Sequence, residues 1–315
     1  MMAFWLTHAD AEAFEHLTTP ALAQALPALS HPEEQAPWPV PGSMLAAGAL
    51  FAAQPAALAV LRAGSEPSPE VLSLVVAEPF RSLGLARELL GWVRQQATAM
   101  GWRSLSVSYP LHHGSTAAMA ALTDPQLGWQ WMDGLRLVHA DRDGAQALVQ
   151  RLAPLVQRLQ RSQRFSLLSW GELATDVQQQ LGRQLQAPRW AWPVQQDCDA
   201  PFACLDAGIS TVMLDRGAPV GWLIAHRVGA SLFRVTQWWV VPAHQGQGTG
   251  LLLLEHAVRQ ALAVQPEYSS GSFGVAADNG PMLRLCGRQL ESLASHVQAN
   301  RRCLLSLAAA DARAD

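Results

Sequence analysis

The stretch that decides the reading is VVPAHQGQGTGLLLLEH, residues 240–256. A strand-like apolar run stops at Pro242, glycines then fall at 246, 248 and 250, and a Leu-rich amphipathic segment follows at once. A blurred copy, VVAEPFRSLGLARELLGW, occupies residues 75–92. A bare turn between strand and helix leaves backbone N–H groups uncovered at the helix N-terminus. Such a place holds phosphate through unpaired donors and the partial positive charge of the helix end. The same turn also serves as a tight connection without any ligand, so one copy alone decides nothing.

The surroundings of the two copies match. Gln245 lies 164 residues after Arg81, about half of the 315-residue chain. Before the first copy, GALFAAQPAALAVLRAG reads as two short strands with a tight connection and EVLSLVVA as a third strand. After it come a helix, ARELLGWVRQQATAMG, and a strand, SLSVSY. Before the second copy, ISTVMLDRGAPVGWLIAHRV reads as a hairpin turning at Arg-Gly, and FRVTQWWVV as the next strand. The helix GLLLLEHAVRQALAV and the strand SFGVAA follow. Apolar residues in both helices recur at spacings of three and four. Two copies of one domain account for this, since the repeat is too long for a solenoid. The expected division is 1–141, a helical linker at 142–163 interrupted at Pro154, and 164–315.

Three phosphate-binding patterns compete for the loop. The Walker A pattern fails because the chain has no lysine, all 22 basic residues being arginine. The dinucleotide pattern GxGxxG fails because its last position is Leu251 and the strand follows a hairpin. The pattern [QR]xxGx[GA] fits Gln245-Gly246-Gln247-Gly248-Thr249-Gly250, and it fits Arg81-Ser82-Leu83-Gly84-Leu85-Ala86. Here the chain resembles the GNAT (Gcn5-related N-acyltransferase) superfamily, twice over, in the element order that family uses. The resemblance implies an α/β fold of two tandem GNAT-like domains, each a mixed, mostly antiparallel sheet flanked by helices. It implies acyl-CoA as co-substrate, acetyl or longer, with no metal. The pyrophosphate would be gripped by Gln245, Gly246, Gln247, Gly248, Thr249 and Gly250, or by Arg81, Gly84 and Ala86. Val240 and Val241, at the strand end, would offer an edge to the pantetheine, and Asn279 begins the helix after the fifth strand.

The reaction so implied is attack of an amine on a thioester, which calls for a base, an oxyanion donor and a proton for the leaving thiolate. Glu70, six residues before Val76, stands where some members of the family carry a glutamate base; at the matching place the second half has Arg234, which cannot serve. Seven residues after Asn279, where the family often has an acidic tyrosine, stands Cys286. A thiol can protonate a thiolate, and a buried apolar cysteine is the other reading. His112 and His113 follow a strand end within reach of a substrate, His244 adjoins the loop, and His226 lies on an apolar strand. Trp190, Trp192, Trp222, Trp238 and Trp239 all precede the second loop; Trp238 and Trp239 face opposite sides of a strand, so at most one lines an acyl chain. The second half has the better loop and the first the better base. The sequence places coenzyme A in the second half and leaves the first open.

Composition sets the outer bounds. Half of the residues are hydrophobic and the formal net charge is −3, which gives no basic footprint for nucleic acid. No apolar run is long enough to span a bilayer, the N-terminus lacks a basic signal region, and a cytoplasmic protein is expected. The four cysteines, Cys198, Cys204, Cys286 and Cys303, form no metal-ligand spacing and are expected to be reduced thiols. The expected partners are acyl-CoA and an amine-bearing small molecule or peptide. Fatty-acyl transfer to a Lys- or Orn-like side chain of a ribosomal peptide is one alternative, and an inactive pair that senses acyl-CoA or scaffolds a partner is another.

Overall fold

The computed structural model describes residues 1–23, 26, 44–63, 68–185, 205–229, 231–264 and 268–307. Trp190, Trp192, Cys198 and Cys204 lie outside the described residues. In chain order the first half carries β1 (Met2–Trp5), α1 (Ala11–Phe14), α2 (Pro20–Ala23), β2 (Met44–Phe51), β3 (Gln54–Arg62), β4 (Glu70–Val76), α3 (Leu85–Ala99), β5 (Ser104–Pro110), α4 (Thr116–Leu122) and β6 (Trp129–Asp141). Then come α5 (Arg142–Gln160), β7 (Phe165–Ser169), α6 (Thr175–Leu185), β8 (Thr211–Asp215), β9 (Ala218–Gly229), β10 (Leu232–Val240), α7 (Thr249–Val264), β11 (Ser270–Val275), α8 (Gly280–Leu285) and β12 (His296–Ser306).

The chain forms two compact units, one of residues 1–135 with the segment from Ala299 onward, the other of 136–298. In the first, β1, β2, β3 and β4 pair antiparallel, β4 runs parallel to β5, and β12 closes on β5 antiparallel. In the second, β7, β8, β9 and β10 pair antiparallel, β10 runs parallel to β11, and the residues from Arg136 to Asp141 of β6 close on β11 antiparallel. The division differs from the sequence reading at both of its boundaries. The segment 142–163 is no linker, because α5 is built into the second core, and the C-terminal strand serves the first unit's sheet. Pairing across strands, which leaves no local trace in sequence, decides both.

The helices form for ordinary reasons. In α3 the buried Leu85, Leu89, Leu90, Val93 and Ala97 make one stripe, packed on the alanines of β2 and β3. In α5 the Asp141 carboxylate accepts from the Gly144 N–H at 2.9 Å and caps the helix, and Leu148, Leu152 and Val156 are buried at a spacing of four. The helix runs straight through Pro154. An interior proline costs roughly 3 kcal/mol; burying three such side chains contributes about 1.5–3 kcal/mol each, so packing wins. Each sheet is covered on both faces. In the first unit, α3 lies on one face and α1 with Leu17 and Leu26 on the other. In the second, α5 and α7 share one face and α6 with Trp170 takes the other.

Candidate active site: two glycine loops and the strands that part beside them

The repeat seen in sequence holds down to single dihedral angles. Ala52 and Ala53 turn the first hairpin at φ 50° and 62°, and Arg216 and Gly217, 164 positions later, turn the second at 54° and 84°. The β3/β4 ladder skips a residue at Leu72, and the β9/β10 ladder skips its counterpart Thr236. Parallel pairing of β4 with β5 ends at Val71↔Val107, and that of β10 with β11 at Val235↔Phe273. So in each unit the third and fourth strands of the repeat part at the same place, directly below the loop.

The loops share a backbone. Gly246 and Gly248 have φ +74° and +86°; Ser82 and Gly84 have +64° and +82°. Ser82 thus holds a left-handed conformation that glycine takes more cheaply, a feature the sequence motif hid by allowing any residue there. In each loop the first side chain turns back on the preceding strand. Gln245 Nε2 donates to the Val240 carbonyl at 2.7 Å, and Arg81 Nε to the Val76 carbonyl at 3.4 Å. In the second loop Gln247 Nε2 donates to the Ala243 carbonyl at 3.0 Å, and the buried Thr249 hydroxyl to the His244 carbonyl at 2.7 Å. Val241 N–H pairs with the Val220 carbonyl, and the Gly250 carbonyl accepts from Trp238 Nε1 at 3.1 Å. With the side chains so engaged, the N–H groups of 82–86 and of 246–251 have no partner among the described residues. Unpartnered N–H groups at a helix N-terminus are the arrangement that suits an anion.

What stands over them differs. Arg81, Ser82, Leu83 and Gly84 are exposed, Ala86 is half-buried, and a Cβ added at Gly84 would have nothing within 4 Å. A Cβ at Gly248 would stand 3.0 and 3.2 Å from the two Cδ atoms of Leu155, on α5 of the same unit. Helix α5 lies alongside α7 in the opposite sense. Arg142 Nη2 donates to the Leu262 carbonyl near one end, and Leu155 meets Gly248 at the other. Between α5, α7 and the sheet lies an apolar cavity of about 70 Å³, lined among others by Leu148, Val235, Leu254 and Phe273.

The other candidates fall out as follows. Glu70 stands one residue below the parting of β4 and β5. Its Oε2 accepts from Arg62 Nη2 at 2.8 Å, while Oε1 makes no hydrogen bond among the described residues. Sheet register puts Arg62 opposite Glu70, so sequence gave no hint of the pair. Cys286 is fully buried in the second core, and burial first, then Glu291, pushes its thiol up to about 11. A group so placed can reach no substrate and is a poor acid, which leaves the apolar reading of this cysteine. Asn279 is exposed and caps α8, accepting from the Met282 N–H at 3.2 Å. His113 is folded into the turn before α4, its Nδ1 2.9 Å from the Ser115 hydroxyl. His244 is buried and faces Asp215 at 3.5 Å rather than the loop's open side. His226 is a core residue bonded to the Thr236 hydroxyl at 2.8 Å. Trp238 and Trp239 do take opposite faces, one against Gly250 and the other stacked on Trp222 at 5.3 Å. Among the described residues no group of three or more His, Cys, Asp or Glu could hold a metal ion, and no helix is long and apolar enough to cross a membrane.

Comparison with known proteins agrees with this geometry. Residues 180–290 match the Acetyltransferase (GNAT) family. The fold of the whole chain is similar to that of a tandem GNAT protein from the clavulanic acid biosynthesis pathway, solved without AcCoA (TM-score 0.61, 17% identity, covering 96% of this chain and 98% of that one). It is similar to a GCN5-related N-acetyltransferase from Sphaerobacter thermophilus (TM-score 0.60, 15% identity, 97% and 95% covered). It is similar as well to the glucosamine N-acetyltransferase region of a fungal multi-domain GH3 β-N-acetylglucosaminidase (TM-score 0.60, 10% identity, 96% of this chain and 38% of that one). No curated protein matches the sequence.

Proposed function

We propose, from the match of residues 180–290 to the GNAT family and the tandem GNAT fold of the whole chain, that the protein transfers an acyl group from acyl-CoA to a primary amine, with the coenzyme held by the first loop. The observation that carries this reading is the contrast between Gly84, open above, and Gly248, covered by Leu155. It favours the first loop over the second, where the motif alone put the coenzyme. The pyrophosphate would meet the free N–H groups of 82–86 and the positive end of α3.

The chemistry then divides among few groups. An ammonium acceptor must lose a proton before its nitrogen can attack the thioester carbonyl. Glu70 Oε1, free beside the parting strands, takes that proton, while Arg62 fixes the other carboxylate oxygen. The residue left out of the β3/β4 ladder, Leu72, lies two positions on and supplies backbone polarity where the carbonyl oxygen gains charge. The C–S bond breaks as the C–N bond forms, the nitrogen sheds its second proton to solvent, and the departing thiolate takes a proton from solvent. Acetylation of a small amine and acylation of a peptide side chain are both compatible with this arrangement.

The test is thiol release from acetyl-, octanoyl- and palmitoyl-CoA in the presence of a panel of polyamines, amino acids and Lys-containing peptides. We expect acceptor-dependent release that falls about 10²–10⁴-fold in kcat in Glu70→Gln, the ordinary worth of a general base. Release that is unchanged in Glu70→Gln removes the base assignment; no acceptor-dependent release with any pair removes the enzyme reading.

A further inference from the structure

The position of Glu70 in the repeat belongs to Arg234 in the second unit, and that exchange changes what the sheet face can bind. Strand register sets His226 opposite Arg234, Arg234 beside Ser272, and Ser272 opposite His139. These four side chains form one row across β9, β10, β11 and β6. Their neighbours Val138, Val235, Gly271 and Phe273 line the apolar cavity under α5, which Ser272 also borders, and strand alternation sets the side chains of the row on the opposite face. In the first unit the matching row is self-neutralised, Arg62 pairing with Glu70 beside Ser106.

In the second unit no carboxylate among the described residues pairs with Arg234. Arg234 is partly buried, and among the described residues its only hydrogen bond runs from Nε to the Ser272 hydroxyl at 3.3 Å. Of its five N–H donors, those on Nη1 and Nη2 have no partner among the described residues, and no carboxylate pairs with it. Ser272 is itself 3% exposed. His139 stands next in the row with its ring 5.9 Å from that of His296. Burial, then Arg234 and His296, holds the His139 imidazole below its ordinary value and so neutral at pH 7. A guanidinium taken out of water without a counter-charge is costly, and an anion on its two terminal nitrogens removes the cost.

We propose that this row is a binding site for the carboxylate of a small organic acid, clasped by Nη1 and Nη2 of Arg234 with Ser272 and His139 beside it. One fixed positive charge suits a monoanion, and a planar fork suits a carboxylate. The site lies one residue below the parting of β10 and β11, where the first unit has the carboxylate proposed to meet an amine. The two units then recognise opposite charges with the same strand position. The proposal stands apart from acyl transfer, because binding is measured with no coenzyme present.

The experiment is isothermal titration calorimetry of the full chain with acetate, succinate and benzoate, and with inorganic phosphate as the competing oxyanion. It is run on wild type, Arg234→Gln, Ser272→Ala and His139→Gln, with thermal midpoints recorded for each. We expect saturable binding of at least one of the three acids at one site per chain. Affinity should fall about tenfold or more in Arg234→Gln and about threefold in Ser272→Ala, the usual worth of charged and neutral hydrogen bonds. Should Arg234→Gln fail to fold, Ser272→Ala and His139→Gln carry the test. The proposal is overturned by no saturable binding of any acid, by binding of phosphate alone, or by affinities that the variants leave unchanged.

Discussion

Ser82 shows how a residue can be wrong for its conformation and right for its place. At φ +64° it holds the loop in the same left-handed turn that Gly246 supplies in the other unit. An L side chain there costs roughly 1–2 kcal/mol, against about 0.5–1 kcal/mol of extra chain entropy lost by a glycine. Ser82→Gly is therefore expected to stabilise the protein by about 0.5–1 kcal/mol, read as a higher urea midpoint at constant slope. A lower midpoint would mean that the serine side chain holds the loop in a way its lack of partners does not reveal. Cys286 is the opposite case, a residue for which sequence offered both an acid and a buried apolar cysteine, and the core takes it as the second. Its thiol, pushed up to about 11 from 9.0, is neutral and shut in the core. The native chain should resist iodoacetamide at this position, by peptide mapping, until denaturant is added. Because the folded-state value is raised, the stability this thiol contributes is present in full below 9.0 and lost as pH rises through about 11.

Helix α5 carries the argument at the next scale. Its apolar stripe was visible in sequence, but periodicity tells which face is buried and not against what. The proline at 154 made the segment look like a broken connector, whereas Pro154 sits on the exposed side and the stripe at Leu148, Leu152 and Val156 holds the helix to α7. From that docking follows the contact of Leu155 with Gly248. Alanine at either loop glycine meets the same left-handed backbone, so Gly84→Ala and Gly248→Ala should each lose about 1–2 kcal/mol. Gly248→Ala should lose roughly 1 kcal/mol more, since the new methyl must displace Leu155. Leu155→Ala should cancel that excess in a double-mutant cycle of unfolding free energies. Equal losses at the two glycines would mean that Leu155 yields freely and the second loop is as open as the first.

At the scale of the whole molecule, the plan was legible and the assembly of the strands was not. The offset of 164 residues, the two glycine loops, and the strand and helix on either side of each came from the sequence, because each is a local pattern. The same offset turns out to govern the hairpin turns, the bulges at Leu72 and Thr236, and the points where the parallel strands part. The partner strand of β5 could not be read, since it lies near the C-terminus, and neither could that of β11, which comes ahead of α5. The two loops were legible as a repeated pair, but the contact of Leu155 with the second was not, because Leu155 lies 93 residues from Gly248 in the chain. The central claim is that one loop, the first, takes acyl-CoA. Native mass spectrometry of the intact chain titrated with acetyl-CoA, alongside Gly84→Trp, tests it most directly. The account predicts one coenzyme per chain, lost in Gly84→Trp while the charge-state envelope stays that of a folded protein. Two coenzymes per chain, none, or one that persists in Gly84→Trp would contradict it.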